Sequence, residues 1–221
     1  MNKILIVSAH ADDEAFGMGG TLLKLSKDKE NSISWLIVSK IWEPKWNRDT
    51  ILERENSIKK INNVIGIDSI IHWDYLDNKL DTYSTNEMQE KLIDVINEIK
   101  PETIFTPSIW DFNHDHRIVC ELVEMSTKSY YSPSIKEIIA YEIPSSTEHS
   151  FSSVRRFQPN LYFDISSTIE AKLKLLELYT SELKPPPHPR SKKYIKSLAR
   201  IRGGESGADY AEAFHIMKSL R

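Results

Sequence analysis

Apolar residues along this chain come in short blocks separated by longer, more polar stretches. The first block, Ile4-Leu5-Ile6-Val7, lies within residues 3–9 and alternates too little for a half-exposed strand. It reads as a strand buried on both faces of a parallel sheet. Residues 32–39, 69–73, 103–106 and 135–141 read as four further strands. The stretches between them predict helices. One runs from about Ala15 to Lys27, with Leu22, Leu23 and Leu25 inward, and a polar one over 48–65 is capped at Gly66. Another covers 85–100 before Pro101, and a fourth begins near His114 and ends at about Ser126. Strand and helix in alternation predict an α/β fold, a Rossmann-like, doubly wound, mostly parallel sheet with helices on both faces.

Beyond Tyr141 the texture changes. Pro144 to Glu148 is loop-like, 161–165 reads as a short strand, and helices are expected at 168–183 and 191–201. Between these helices, Pro185-Pro186-Pro187-His188-Pro189-Arg190 reads as a stiff, extended connector. Arg202-Gly203-Gly204 reads as a turn or helix stop. Gly17, Gly19 and Gly20, poor helix residues, suggest close approach of the first helix to the sheet or to a ligand. With no repeat and no composition break, residues 1–221 are expected to form one domain.

A formal net charge of -3 with both signs interspersed gives no reason to expect nucleic acid as a partner. Cys120 is the only cysteine, which excludes an internal disulfide and favours a reducing, cytoplasmic location. It lies in an apolar helical stretch and reads as core. No segment approaches the roughly 18 apolar residues of a membrane span, so no integral membrane segment is expected. Self-association is left open.

The chemistry concentrates in two clusters. Ala9-His10-Ala11-Asp12-Asp13-Glu14 follows the first strand, and Asp111-Phe112-Asn113-His114-Asp115-His116 follows the fourth. In doubly wound sheets these strands are neighbours at the switch point, and ligands bind beyond their carboxyl ends. Both clusters should therefore meet in one crevice. Two histidines and a carboxylate suit catalytic Zn²⁺, which leaves a position for water. Of Asp12 and Asp13, one can ligate while the other accepts the water's proton. Asp115 is placed to orient a ligand histidine. The first turn lacks Gly-x-Gly-x-x-Gly and carries acids where a pyrophosphate would sit, against a dinucleotide enzyme. No Gly-x-Ser-x-Gly elbow is present, against a serine nucleophile.

The chain resembles the PIG-L/LmbE-like zinc deacetylases, which hydrolyse N-acetyl groups of amino sugars and their conjugates. The hallmark Ala-His-Pro-Asp-Asp-Glu is matched except at Ala11, and the second hallmark's Asp-His by Asp115-His116. Similarity extends to Arg54, to 142–148 and to 210–214. The resemblance implies His10, Asp13 and His116 as Zn²⁺ ligands and Asp12 as general base. It also marks a departure: Asn113 stands where better-studied members carry a histidine that stabilises the oxyanion or protonates the leaving amine. Asparagine can donate to an oxyanion but is no acid. Either His114 turns inward, or another group protonates the amine, or Asp12 returns its proton. His188 is the preferred substitute.

On the substrate side, Trp42 and Trp46 follow the second strand, placed to stack on a sugar or to pack a loop. Arg54 and Arg190 suit a substrate phosphate or carboxylate, and Ser145, Ser146 and Thr147 suit a polyol. The expected substrate is a small amino sugar, free or linked to a nucleotide or lipid. The rival readings are hydrolysis of another N-acyl or amide group with the same machinery, and a silent metal- or sugar-binding homologue.

Overall fold

The computed structural model describes residues 2–150 and 156–221. Five parallel strands, β1 (Asn2–Ser8), β2 (Asn31–Lys40), β3 (Ser69–Leu76), β4 (Thr103–Pro107) and β5 (Glu137–Tyr141), alternate with helices. Those helices are α1 (Asp13–Leu25), α2 (Arg48–Ile65), α3 (Thr85–Ile99) and α4 (His114–Ser126). The chain then adds β6 (Leu161–Asp164), α5 (Ile169–Leu175), α6 (Lys192–Ser206) and β7 (Ala211–Ser219). The sheet order is β3-β2-β1-β4-β5-β7-β6. The pairings among β1 to β5 are parallel, whereas β7 runs antiparallel to both β5 and β6.

The doubly wound reading holds, and β1 and β4 are hydrogen-bonded neighbours, Ile4 to Ile6 opposite Thr103 to Phe105. The pleat sends alternate residues of β1 to two cores. Ile4 and Ile6 join Phe16, Leu22, Trp35 and Ile61 on one face, while Leu5 and Val7 join Leu36, Leu92, Ile96 and Val119 on the other. This two-sided burial explains the unbroken apolar block, each such side chain contributing about 1.5–3 kcal/mol. Cys120 is fully buried, and burial raises its thiol pKa. No helix among the described residues is long and apolar enough to cross a membrane.

Local signals set the helix ends. Asn47, Ser84, Asn113 and Ser191 are N-caps whose side chains accept backbone N–H groups, and Gly66 closes α2 at φ 78°. Gly17 meets the requirement for close approach: a Cβ there would lie 2.5 Å from the Tyr141 ring.

The C-terminal part departs from expectation in four places. The strand β7 lies where none is expected. The helix expected over 168–183 ends sooner, at Leu175, and continues as a 3₁₀ turn, Leu176–Leu178. Arg202, Gly203 and Gly204 form neither a turn nor a stop but lie inside α6, which ends at Gly207 with φ 82°. Gly203 permits contact with the returning chain, a Cβ there falling 2.6 Å from Ala208 O. Residues 184–191 are not extended: His188 N–H donates to Pro185 O at 3.2 Å and Ser191 N–H to His188 O at 2.9 Å, turning the segment back on itself.

Near its middle α1 kinks at Met18, whose φ of -137° is non-helical. The kink frees the N–H groups of Gly20 and Thr21, and the Glu212 carboxylate of β7 accepts both, at 2.9 and 2.7 Å. Lys172 neutralises that buried carboxylate at 2.6 Å. The last strand thereby repairs the first helix.

Candidate metal centre and active site

The loops leaving β1 and β4 meet because their strands are neighbours. His10 Nδ1 lies 3.2 Å from His116 Nε2, which lies 3.2 Å from Asp13 Oδ1. Asp13 Oδ2 accepts the His10 backbone N–H at 2.8 Å, shaping the turn at the start of α1. His116 and Asp13 are 1% and 0% exposed, so water is excluded from most of the cluster. Among the described residues, the buried Asp13 Oδ1 accepts no hydrogen bond, although the His116 ring lies beside it. A buried carboxylate oxygen left this way calls for a cation.

Carboxylates flank the far side of each ring. His10 Nε2 lies 3.2 Å from Asp77 Oδ1 and 3.1 Å from Asp115 Oδ2. His116 Nδ1 lies 3.1 Å from Asp111 Oδ1, and the other oxygen of Asp111 accepts from Ser146 and Thr147 hydroxyls. Such contacts set which ring nitrogen carries the proton and leave Nδ1 of His10 and Nε2 of His116 as donors to a metal. Burial disfavours charge on His116, but Asp13 and Asp111 outweigh it and raise its pKa to about 9. Burial likewise raises Asp13, yet His116 and His10 overcome this and hold its carboxyl well below the ordinary range.

Asp12 is buried beside the cluster, and burial raises its carboxyl against the pull of Arg190 and Arg54. Its backbone N–H donates to Glu14 Oε2 at 3.1 Å, and Tyr179 O–H donates to Glu14 Oε1 at 2.8 Å. Burial moves the Glu14 carboxyl up to about 8. A cleft with two lobes, about 320 and 290 Å³, opens over the cluster, and both lobes include His10, Ile41, Arg54 and Asp77.

The other expected residues are distributed unevenly. Asp115 serves His10, not its neighbour His116, whose partner is Asp111. His114 is exposed and does not turn inward. Asn113 lines the cleft, but its Oδ1 is engaged as the α4 N-cap, accepting Asp115 N–H at 2.9 Å. His188 is exposed on the cleft wall, with Nδ1 accepting Arg190 N–H at 3.0 Å. Neither Arg54 nor Arg190 offers a whole free fork to a substrate phosphate or carboxylate: Arg54 pairs with Glu182, and Arg190, through Nη1, with Asp12 and Glu182. Ser146 and Thr147 support Asp111 instead of facing a polyol. Trp42 lines the larger lobe with the Lys79 ammonium 4.1 Å from its ring, and its indole N–H donates to Asp77 O at 3.3 Å. Trp46 lines the smaller lobe and donates to Asp77 Oδ2 at 3.4 Å.

The sequence reading missed Asp77, Glu182, Glu14 and Tyr179, and gave Asp111 no role. For Asp77 a signal existed, because it follows β3 at the same carboxyl edge of the sheet.

Residues 5–126, which contain both loops of the cluster, match the PIG-L family of GlcNAc-PI de-N-acetylases. The chain belongs to this family. The diacetylchitobiose deacetylase of Thermococcus kodakarensis is 24% identical over 100% of this chain and 85% of its own length. The N,N′-diacetylchitobiose deacetylase of Pyrococcus horikoshii superposes with a TM-score of 0.78 at 22% identity, covering 98% of this chain and 84% of that one. GalB, the 4-carboxy-2-hydroxymuconate hydratase of Pseudomonas putida, superposes with a TM-score of 0.77 at 18% identity over 100% and 98% of the two chains. These likenesses fix the fold. A hydratase shares it, so the reaction has to be argued from the site.

Proposed function

We propose that the protein is a zinc-dependent N-deacetylase that hydrolyses the N-acetyl group of an amino sugar or sugar conjugate, releasing acetate and a free amine. The observation that carries this reading is the convergence of His10 Nδ1, His116 Nε2 and the unpartnered Asp13 Oδ1, with the spare carboxylate of Asp12 beside them. Two imidazoles and one carboxylate are a donor set that suits zinc, and the orphaned Asp13 oxygen fits such an ion. When bound, zinc supplies Lewis-acid polarisation and an acidified water.

The chain's own residues do the rest. Asp12, which no metal ligation requires, takes the proton of the attacking water and returns it to the departing amine. His188 is the less favoured acid, because its Nδ1 accepts a hydrogen bond and a proton-donating imidazolium needs N–H groups at both positions. It contacts substrate from the cleft wall in this reading, together with Trp42 and the Asn113 amide. Asp111, Asp77 and Asp115 hold the ligand histidines. Residues 1–221 act as one catalytic unit built on one sheet, and the lone buried thiol of Cys120 supports a cytoplasmic setting.

The test is a screen of free, nucleotide-linked and lipid-linked N-acylated amino sugars with metal-loaded protein, reading out free amine. Turnover that falls about 100-fold or more in Asp12→Ala, with the metal still bound, supports the reading. Absence of turnover on every N-acyl sugar overturns it.

A further inference from the structure

The cleft contains two guanidinium groups, and the structure uses them differently. Arg54 is turned into the fold: Nη1 donates to Ala11 O at 2.8 Å, Nη2 to Glu182, and Nε, which has no partner among the described residues, is buried out of reach of the cleft. Arg190 pairs with the other oxygen of the same Glu182. Its Nη1 donates to Asp12 Oδ2 at 2.7 Å and to Glu182, and its Nε to Ser145 Oγ at 2.9 Å. The guanidinium carbon also lies 4.8 Å from the centre of the Phe16 ring. Nη2 of Arg190 has no hydrogen-bond partner among the described residues, although the side chain lines the lobe that contains His10, Asp12 and Asn113. A guanidinium is a rigid planar fork, so fixing Nη1 and Nε also fixes the directions of the Nη2 hydrogens.

The remaining donors of that lobe are weaker. Asn113 is neutral and half-engaged as a helix cap, and His188 and Lys184 are exposed. A positive, pre-oriented donor in a sheltered cleft is the arrangement that stabilises charge developing on an oxygen.

We propose that Arg190 is a further catalytic residue, its Nη2 donating to the substrate's acyl oxygen as that oxygen becomes negative, and that Glu182 is the positioning residue that holds it there. The inference rests on the N-deacetylase reading. The water oxygen bonds to the acyl carbon, one water proton moves to Asp12, and the carbonyl π pair moves to the oxygen facing Nη2. Arg190 Nη1 holds Asp12 Oδ2, which leaves Oδ1 to carry the proton. When the pair returns, the C–N bond breaks and the proton on Asp12 passes to the amine. The acetic acid so formed ionises. Arg190 gives up no proton at any stage.

The experiment compares Arg190→Ala, Arg190→Lys and Glu182→Gln with the wild type on an N-acetylated amino sugar that it turns over, with zinc content measured for each. Loss of one such donor predicts a kcat lower by about 100-fold in Arg190→Ala, with KM little changed and zinc retained. Millimolar guanidinium should restore part of that activity whereas urea should not, and Arg190→Lys should exceed Arg190→Ala. Glu182→Gln should lose less, mainly in kcat. If Arg190→Ala does not fold, Arg190→Lys and Glu182→Gln carry the comparison, and wild-type kcat in both overturns the proposal. So does wild-type kcat in Arg190→Ala, or a loss that neither guanidinium nor lysine relieves. If the wild type turns over no N-acetylated sugar, the deacetylase reading fails and this inference with it; active wild type beside an equally active Arg190→Ala fails the inference alone.

Discussion

The floor of the cleft and its arginine wall are built in opposite ways. The floor comes from the loops after β1 and β4, neighbouring strands whose register places His10, Asp13 and His116 together. Each proposed ligand follows a strand end in the chain, His10 and Asp13 after β1 and His116 at the start of α4 after β4, and each ring has a carboxylate behind it. The wall comes from α2 and from the 179–191 segment, joined through Glu182 between two arginines. Its members meet only when distant parts of the chain have packed. The floor is a matter of topology, whereas the wall is a matter of tertiary closure, so damage to the two should look different.

The largest difference should come from the floor. His116→Ala removes a proposed ligand and the imidazole that Asp111 and Asp13 both face, so zinc content and activity should both fall to background, as metal analysis and turnover will show. Retained stoichiometric zinc would break the comparison. Asp111→Asn should come next, with metal affinity weaker by about 10–100-fold, because the histidine keeps its place but loses its charged orienter. Competition with a fluorescent chelator measures this. The smallest effect belongs to the wall: His188→Ala should lower turnover by less than the roughly 100-fold minimum of a general acid, with zinc unchanged. A larger loss would move the proton return from Asp12 to His188 and give the wall a share of the proton chemistry.

The same contrast governs what the sequence makes legible. Strands β1 to β5 are apolar blocks buried on both faces, so block and strand coincide, and the switch-point rule alone brings His10 and His116 together. Asp77 and Glu182 are single acids in a chain with 32 of them, and nothing local sets them apart from solvated surface. Their importance arises from what folds against them, His10 and Lys45 for one, Arg54 and Arg190 for the other. β7 was missed because Glu212 and His215 interrupt its apolar pattern, yet Glu212 is buried as the acceptor that α1 requires. α6 was cut short because Gly203 and Gly204 are poor helix formers, while contact with Ala208 demands a residue without a side chain at Gly203.

The bond between Glu212 and the kinked middle of α1 also sets an order in time. Synthesis delivers the helix that begins at Asp13 early, but two of its amides wait for a carboxylate nearly two hundred residues downstream. A ribosome-bound chain that has released α4 holds His10, Asp13 and His116 and still lacks the clamp on the helix that begins with Asp13. The helix that opens with Asp13 is therefore closed only when β7 has packed against it.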